Sequence, residues 1–416
     1  MHPRRTRALR LFPALSVLLV AACGGGDDPA STPPPGAAAG SAGAGGLGSG
    51  GTAGAGAAGA SAGAAGAASG AAGAAAAGAA GASAGAAGAS AGAAGAMGGG
   101  AGAAGGPCVD PSPIPPSDVA PPRLSMTGLF ADIKSLTLAP GVQPFAPTYP
   151  LWTDAAEKRR WVYLPKCAQI DTSDPDHWVF PAGSRWWKQF DNYGKRIETR
   201  LVHKYGPTTD DYLFATYLWR DDLSDADLVE PMGLVDAKGT AHDIPSELQC
   251  RTCHGFNPEH VLGFGAVQLS HDAPGVTLTQ LTAEGRLTTA PPAGGYPVPG
   301  DAVTKQAVGY LHANCGHCHN SNNPAVSLRL LVLTGQQQPS ALDVFKTAVG
   351  KPAMNFTAPG VTALIEPGKP DASAVVYRMS ERNSASKPNV QMPQIGTEVV
   401  DPTGVAAVRA WVQSLK

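Results

Sequence analysis

Residues 24 to about 106 contain almost nothing with which to build a core. They run in near-repeats such as Gly-Ala-Ser-Ala-Gly-Ala-Ala-Gly-Ala, carry no charge after Asp27 and Asp28, and hold Leu47 and Met97 as their only large apolar side chains. Such a composition cannot offset the entropy of ordering a chain. A disordered Gly/Ala/Ser tether over 23–106 is therefore expected, with a root-mean-square reach of about 50 Å. A silk-like or triple-helical assembly would need a glycine at every third position, and the repeats lack that period. Folding is confined to residues 107–416, a length sufficient for two domains.

Within that part, two short stretches share one pattern: Cys250-Arg251-Thr252-Cys253-His254 and Cys315-Gly316-His317-Cys318-His319. Two thiols three positions apart can add to the two vinyl groups of one haem. The His that follows is then placed under the iron as an axial ligand. Two covalently bound haem c groups are the expected cofactors, attached at Cys250, Cys253, Cys315 and Cys318 with His254 and His319 on the irons. A zinc site made from the same side chains would leave the His directly after each pair unexplained.

Ahead of the tether, Arg4, Arg5, Arg7 and Arg10 precede a short apolar run over 11–22. That run reads as an export signal and is too short to span a bilayer. It ends Val20-Ala21-Ala22-Cys23, which resembles the lipobox of bacterial lipoproteins. The resemblance implies a signal peptide over 1–22 and lipid on Cys23, which anchors a chain to a membrane surface without crossing it. Gly24 stands where an Asp would mark inner-membrane retention, so the implied place is the outer membrane of a Gram-negative envelope, facing periplasm or cell surface. The chain has 30 basic and 32 acidic residues, a net charge of −2. Haem propionates would add to the negative side, so nucleic acid is not an expected partner. Of seven Cys, Cys108 and Cys167 remain after the lipid site and the two motifs. They are a disulfide candidate in an oxidising compartment, with two unpaired thiols as the alternative.

Between 107 and 240 the pattern predicts a β-rich domain. Short runs at 161–164, 178–180, 185–190, 196–203 and 212–219 are rich in aromatic and β-branched residues and are separated by Gly, Pro, Asp and Asn turns. Their spacing suggests an antiparallel sandwich or barrel-like sheet. The region around them holds six of the seven Trp, expected to fill a core rather than to form a sugar-binding face. Asp154, Glu157, Arg159 and Glu198 read as a solvated surface. A first haem-binding segment follows over 241–300. There Ser246 and Gln249 form a capping box for a helical turn that carries the first motif. Over 301–416, Asp301 caps a helix leading into the second motif. Residues 326–333 look strand-like, and Asp401-Pro402 opens a closing helix with an apolar stripe of Val405, Val408, Trp411, Val412 and Leu415. The fold class expected is α+β and multidomain, an antiparallel β-rich part followed by mainly α haem domains.

A helix running into C-x-x-C-H, a late Met392-Pro393 and a closing amphipathic helix make 301–416 resemble a class I cytochrome c domain. That resemblance implies His319 as proximal and Met392 as distal ligand of the second iron, with Met379 as competitor. The first motif lacks such a Met downstream; His260, His271, Met232, His242 or an open position are the alternatives there. More broadly, 145–416 resembles a family of exported dihaem c-type cytochromes of mostly unassigned function. The likeness rests on Tyr149-Pro150-Leu151-Trp152-Thr153-Asp154, Ile197-Glu198-Thr199-Arg200, Val261-Leu262-Gly263-Phe264 and the Asn314 and Asn320 that flank the second motif. It implies electron transfer with redox partner proteins of the envelope. A dihaem peroxidase-like or other oxidoreductase with an open first haem is the second expectation. A binding module, its β domain gripping a glycan or protein, is the third.

Overall fold

The computed structural model describes Ile114 and residues 117–416, apart from Cys167 and Pro258. The expected signal, the tether, the lipid site Cys23 and the Cys108–Cys167 pair lie outside the described residues. Among the described residues, no helix is long and apolar enough to cross a membrane.

A two-stranded ribbon, β1 (Phe130–Asp132) and β2 (Thr137–Leu138), precedes a six-stranded sheet. The sheet runs β3 (Val142–Pro144), β4 (Glu157–Tyr163), β5 (Arg185–Asn192), β6 (Lys195–Lys204), β7 (Tyr212–Trp219) and β8 (Ala226–Leu228), each antiparallel to its neighbour in chain order. Between β5 and β6, Tyr193 and Gly194 both have positive φ, the two-residue turn whose twist matches antiparallel strands. The expected sandwich is thus one open sheet. The run at 178–180 contributes only an isolated bridge, Asp171 to Val179. The two-stranded ribbon and irregular chain cover one face, and irregular chain with a short helix covers the other.

Side chains alternate along the strands, so the two faces differ. One cross-strand row, Trp161–Trp187–Leu201–Ala215, packs with Leu124, Leu129 and Phe130 into one core. On the other face the row Val162–Trp186–Val202–Phe214 joins Phe264, Leu269 and Val276 in a second core. Trp161, Trp178, Trp186, Trp187 and Trp219 are all buried, as core packing of the aromatic residues requires.

The helices follow. They are α1 (Glu247–His254), α2 (Leu278–Ala283), α3 (Ala302–Asn314), α4 (Asp343–Thr347), α5 (Ala374–Ser380) and α6 (Pro402–Ser414). Each expected cap is present: Ser246 accepts from the Gln249 N–H, Asp301 from Thr304, and Asp401 from Thr403 and Gly404. The stripe of α6 buries Val408, Trp411 and Val412 against Val308 and Leu311 of α3 in a third core, with Val405 and Leu415 at its margin. Residues 326–333 form no strand. Their backbone instead serves the second motif, as described next. The fold is a mixed α+β architecture.

Candidate functional site

The second motif begins where α3 ends, with Cys315 as its C-cap. A Cβ on Gly316 would stand 2.5 Å from the His312 carbonyl oxygen and 3.0 Å from Leu331 Cα, so only glycine lets the chain turn there. Asparagines brace the turn. Asn320 donates to the Gly316 and His317 carbonyls at 2.9 and 3.0 Å, and Asn323 to the Cys318 carbonyl at 2.9 Å. Asn314 accepts from the Trp152 N–H at 2.6 Å. The Tyr-Pro-Leu-Trp-Thr-Asp segment is therefore a strap. Asp154 extends it by accepting from the Glu398 and Val399 N–H groups at 2.8 Å.

Cys315, Cys318 and His319 line a cavity of about 300 Å³, closed by apolar side chains that include Leu328, Leu330, Phe356 and Val375. Met392 and Met379 line it too, and Met379 is also packed into the third core. Burial pulls the His319 imidazole down to about 4, with the Leu328 backbone hydrogen-bonding against that shift. The ring is thus neutral near pH 7 and can offer a nitrogen lone pair to a metal. An apolar slot with two thiols, a neutral imidazole and a thioether on its walls fits a haem c.

The first motif rides on α1, which docks against β7. The His254 ring meets Phe214 edge-on at 5.1 Å between centroids, and the Arg251 guanidinium lies over the same Phe214 ring at 5.4 Å. His254 Nδ1 is 2.6 Å from the His260 carbonyl oxygen. That bond fixes the tautomer with its proton on Nδ1 and leaves Nε2 for iron. Burial pulls this imidazole down to about 3. The residues at this site also fit the group.

Of the four side chains considered as a second ligand for the first iron, three are hydrogen-bonded through one or both ring nitrogens and one is exposed. His260 returns a bond from Nδ1 to the His254 carbonyl at 3.0 Å. Both ring nitrogens of His271 are used, one on the Ala146 carbonyl and the other accepting from the Ala273 N–H. His242 is buried with Nε2 on Glu198 at 2.7 Å. Met232 is 85% exposed.

Although some sixty residues separate them in sequence, the two motifs touch. The Cys253 thiol hydrogen-bonds to that of Cys318, which pushes Cys253 up and pulls Cys318 down from the ordinary thiol range. Asn257 donates to the carbonyls of both Cys253 and His317 at 3.3 Å, and Asn322 to the Phe256 carbonyl at 3.3 Å. Cys253 itself lines the cavity of the second motif.

Glu198 corrects the reading of a solvated surface. It is fully buried, accepts two bonds from Arg200 at 2.9 and 2.5 Å, and meets His242. Burial pushes its carboxyl up, but Arg200 and His242 outweigh that and hold it below the usual range. Asp154 is likewise a structural acceptor, whereas Glu157 and Arg159 are exposed. His317 also escaped the sequence reading. It lies buried where the motifs meet, with its Nδ1 without a hydrogen-bond partner among the described residues; a His at a variable position of C-x-x-C-H was the available signal. Among the described residues, no three His, Cys, Asp or Glu converge as a bare-ion site. No family model, curated protein or solved structure matches the chain.

Proposed function

We propose that the chain is a dihaem c-type cytochrome that transfers electrons at the cell envelope, anchored there through lipid on Cys23. The observation that carries this is that two complete C-x-x-C-H motifs lie side by side, bridged by Asn257 on the Cys253 and His317 carbonyls. When bound, each haem supplies a one-electron iron couple. Cys250 and Cys253 would attach the first, with His254 oriented by the His260 carbonyl. Cys315 and Cys318 would attach the second, with His319 and Met392, which line the same cavity, as the side chains that would hold its iron. The largely apolar walls of the second cavity would limit water near His319, and a thioether ligand would favour ferrous iron. The test is export in a host able to mature c-type cytochromes, followed by a pyridine haemochrome spectrum and intact mass. Two covalent haems per chain are expected, and a haem-free product would sink the reading. Mass spectrometry of the Cys23 peptide tests the anchor.

A second reading, an oxidoreductase acting at the first haem, is favoured by one observation: among the alternative ligands His271 has both ring nitrogens hydrogen-bonded, His242 is held on buried Glu198 and Met232 is exposed. Carbon monoxide and cyanide should then perturb one haem of the two. Spectra unchanged by either would count against an open position.

A further inference from the structure

The sheet face toward α1 carries a row of charge. In cross-strand register, Arg160 of β4 pairs with Lys188 of β5, Lys188 with Arg200 of β6, and Arg200 with Thr216 of β7. Lys158 stands one row away, opposite Phe190 and, beyond it, Glu198. All four cations are half-buried. The carboxylate in their rows, Glu198, is taken up by Arg200 and His242, and Asp154 and Asp401 act on Lys158. Lys188 is held only against the Phe190 ring, at 4.9 Å. Among the described residues, neither Arg160 nor Lys188 has an ion-pair partner for its side chain.

This arrangement is costly as it stands. Burial and the neighbouring Arg160, Arg200 and Lys158 pull the Lys188 ammonium well below its ordinary value, and burial takes Arg160 down to about 10. Half-buried like charges in one row call for an anion. The row begins beside the first motif, since Arg200 pairs with Thr216 of β7, two residues along the same face from the Phe214 that meets the His254 ring. It then runs away across the sheet, one strand spacing of about 4.8 Å at a time. Arg160 therefore stands roughly 10 Å beyond Arg200, a distance comparable to the span of a porphyrin.

We infer that the row Arg160–Lys188–Arg200 is the seat of the two propionates of the first haem, and that the sheet thereby sets that haem's potential. The inference rests on haem attachment at Cys250 and Cys253, as proposed above. The two propionate carboxylates would offset most of the surplus positive charge, leaving Arg200 to hold Glu198 and Arg160 with Lys188 to face the anion. The seat is supplied by the β part of the chain and not by the helical part, so the two haems differ in electrostatic setting while sharing one attachment pattern.

The experiment is a spectrally resolved redox titration of the exported, haem-loaded protein and of its R160M, K188M and R160M/K188M variants, each with its haem count. The first haem is assigned by its absence from a C250A/C253A variant. The expected result is two haems throughout and a midpoint of the first haem that falls in each single variant. The double variant should fall by at least a tenfold change in its reduction equilibrium, about 59 mV for one electron. R160K should restore most of the shift, and R159M, on the exposed opposite face, should leave both midpoints in place. Two haems with an unmoved first midpoint, or equal shifts of both haems, would overturn the inference. So would a spectral response to added nitrite in the unsubstituted protein that disappears in R160M/K188M, because the row would then be open to solvent anions. Absence of haem from the first motif in the unsubstituted protein would instead overturn the reading on which the inference rests.

Discussion

His254 and His319 close the same five-residue pattern but face different walls. Around His319 the wall is apolar, built from short helices and irregular chain, and it includes Met392. Beside His254 stands a β-sheet with Phe214 at its edge and a row of cations beyond. Attachment chemistry is a local property, since two thiols and a His need only a turn. Ligation, polarity and potential are properties of the wall, and the wall comes from distant parts of the chain. Under the proposed reading, the chain thus carries one attachment device twice and tunes it in two ways.

The sharpest way to break this comparison is to remove one attachment at a time. C315A/C318A and C250A/C253A should each lower the haem count from two to one, measured by pyridine haemochrome. The C250A/C253A protein should retain the ligand-field signature of a His/Met pair. If both variants lost both haems, the two sites would be one folding unit and not two separable settings.

Next in size is E198Q. It leaves Arg200 and His242 buried without their anion, a change that costs about 3–5 kcal/mol for a buried pair, read as a lowered denaturation midpoint. Its pH dependence has a definite sign. The Glu198 carboxyl lies below its unfolded value, so its contribution is full above the ordinary carboxylate range. It is lost as pH falls through and below that range. The unsubstituted protein should therefore lose stability on acidification more steeply than E198Q, and parallel curves would remove Glu198 from the account.

M392A tests the other wall. Loss of the thioether should lower the midpoint of the second haem by about 59 mV or more and leave the first within error. M379L should move neither. The reverse pattern would make Met379 the ligand.

The smallest effect is expected from N257A. Asn257 bridges the motifs through two bonds of 3.3 Å, and its loss should cost about 1 kcal/mol while both haems remain.

Much of the local structure was legible from residue order. The caps at Ser246, Asp301 and Asp401, the stripe of α6, and four of the five expected strands depend on interactions within a few residues or on simple periodicity. The run at 178–180 was not legible in the same way. Its aromatic residues serve the core beneath Phe264, and no neighbouring strand is free to pair with them. Residues 326–333 are mostly Leu and Val in an alternating pattern at their start, yet Val326, Leu328 and Leu330 line a cavity instead.

Sequence alone singled out Cys250, Cys253, Cys315 and Cys318 and the imidazoles beside them as the attachment residues of the proposed reading, because that pattern is written in consecutive positions. It also determined Met392 as a candidate, through its place before a closing helix. Only the tertiary structure decided that Cys253 meets Cys318, that His271 has both ring nitrogens hydrogen-bonded, that His242 is held on Glu198, and that Glu198 is buried with Arg200. It alone aligned Arg160, Lys188 and Arg200 beside the first motif. These are contacts between residues far apart in the chain, fixed by strand register and by the packing of α1 on β7. No spacing within a single segment encodes them.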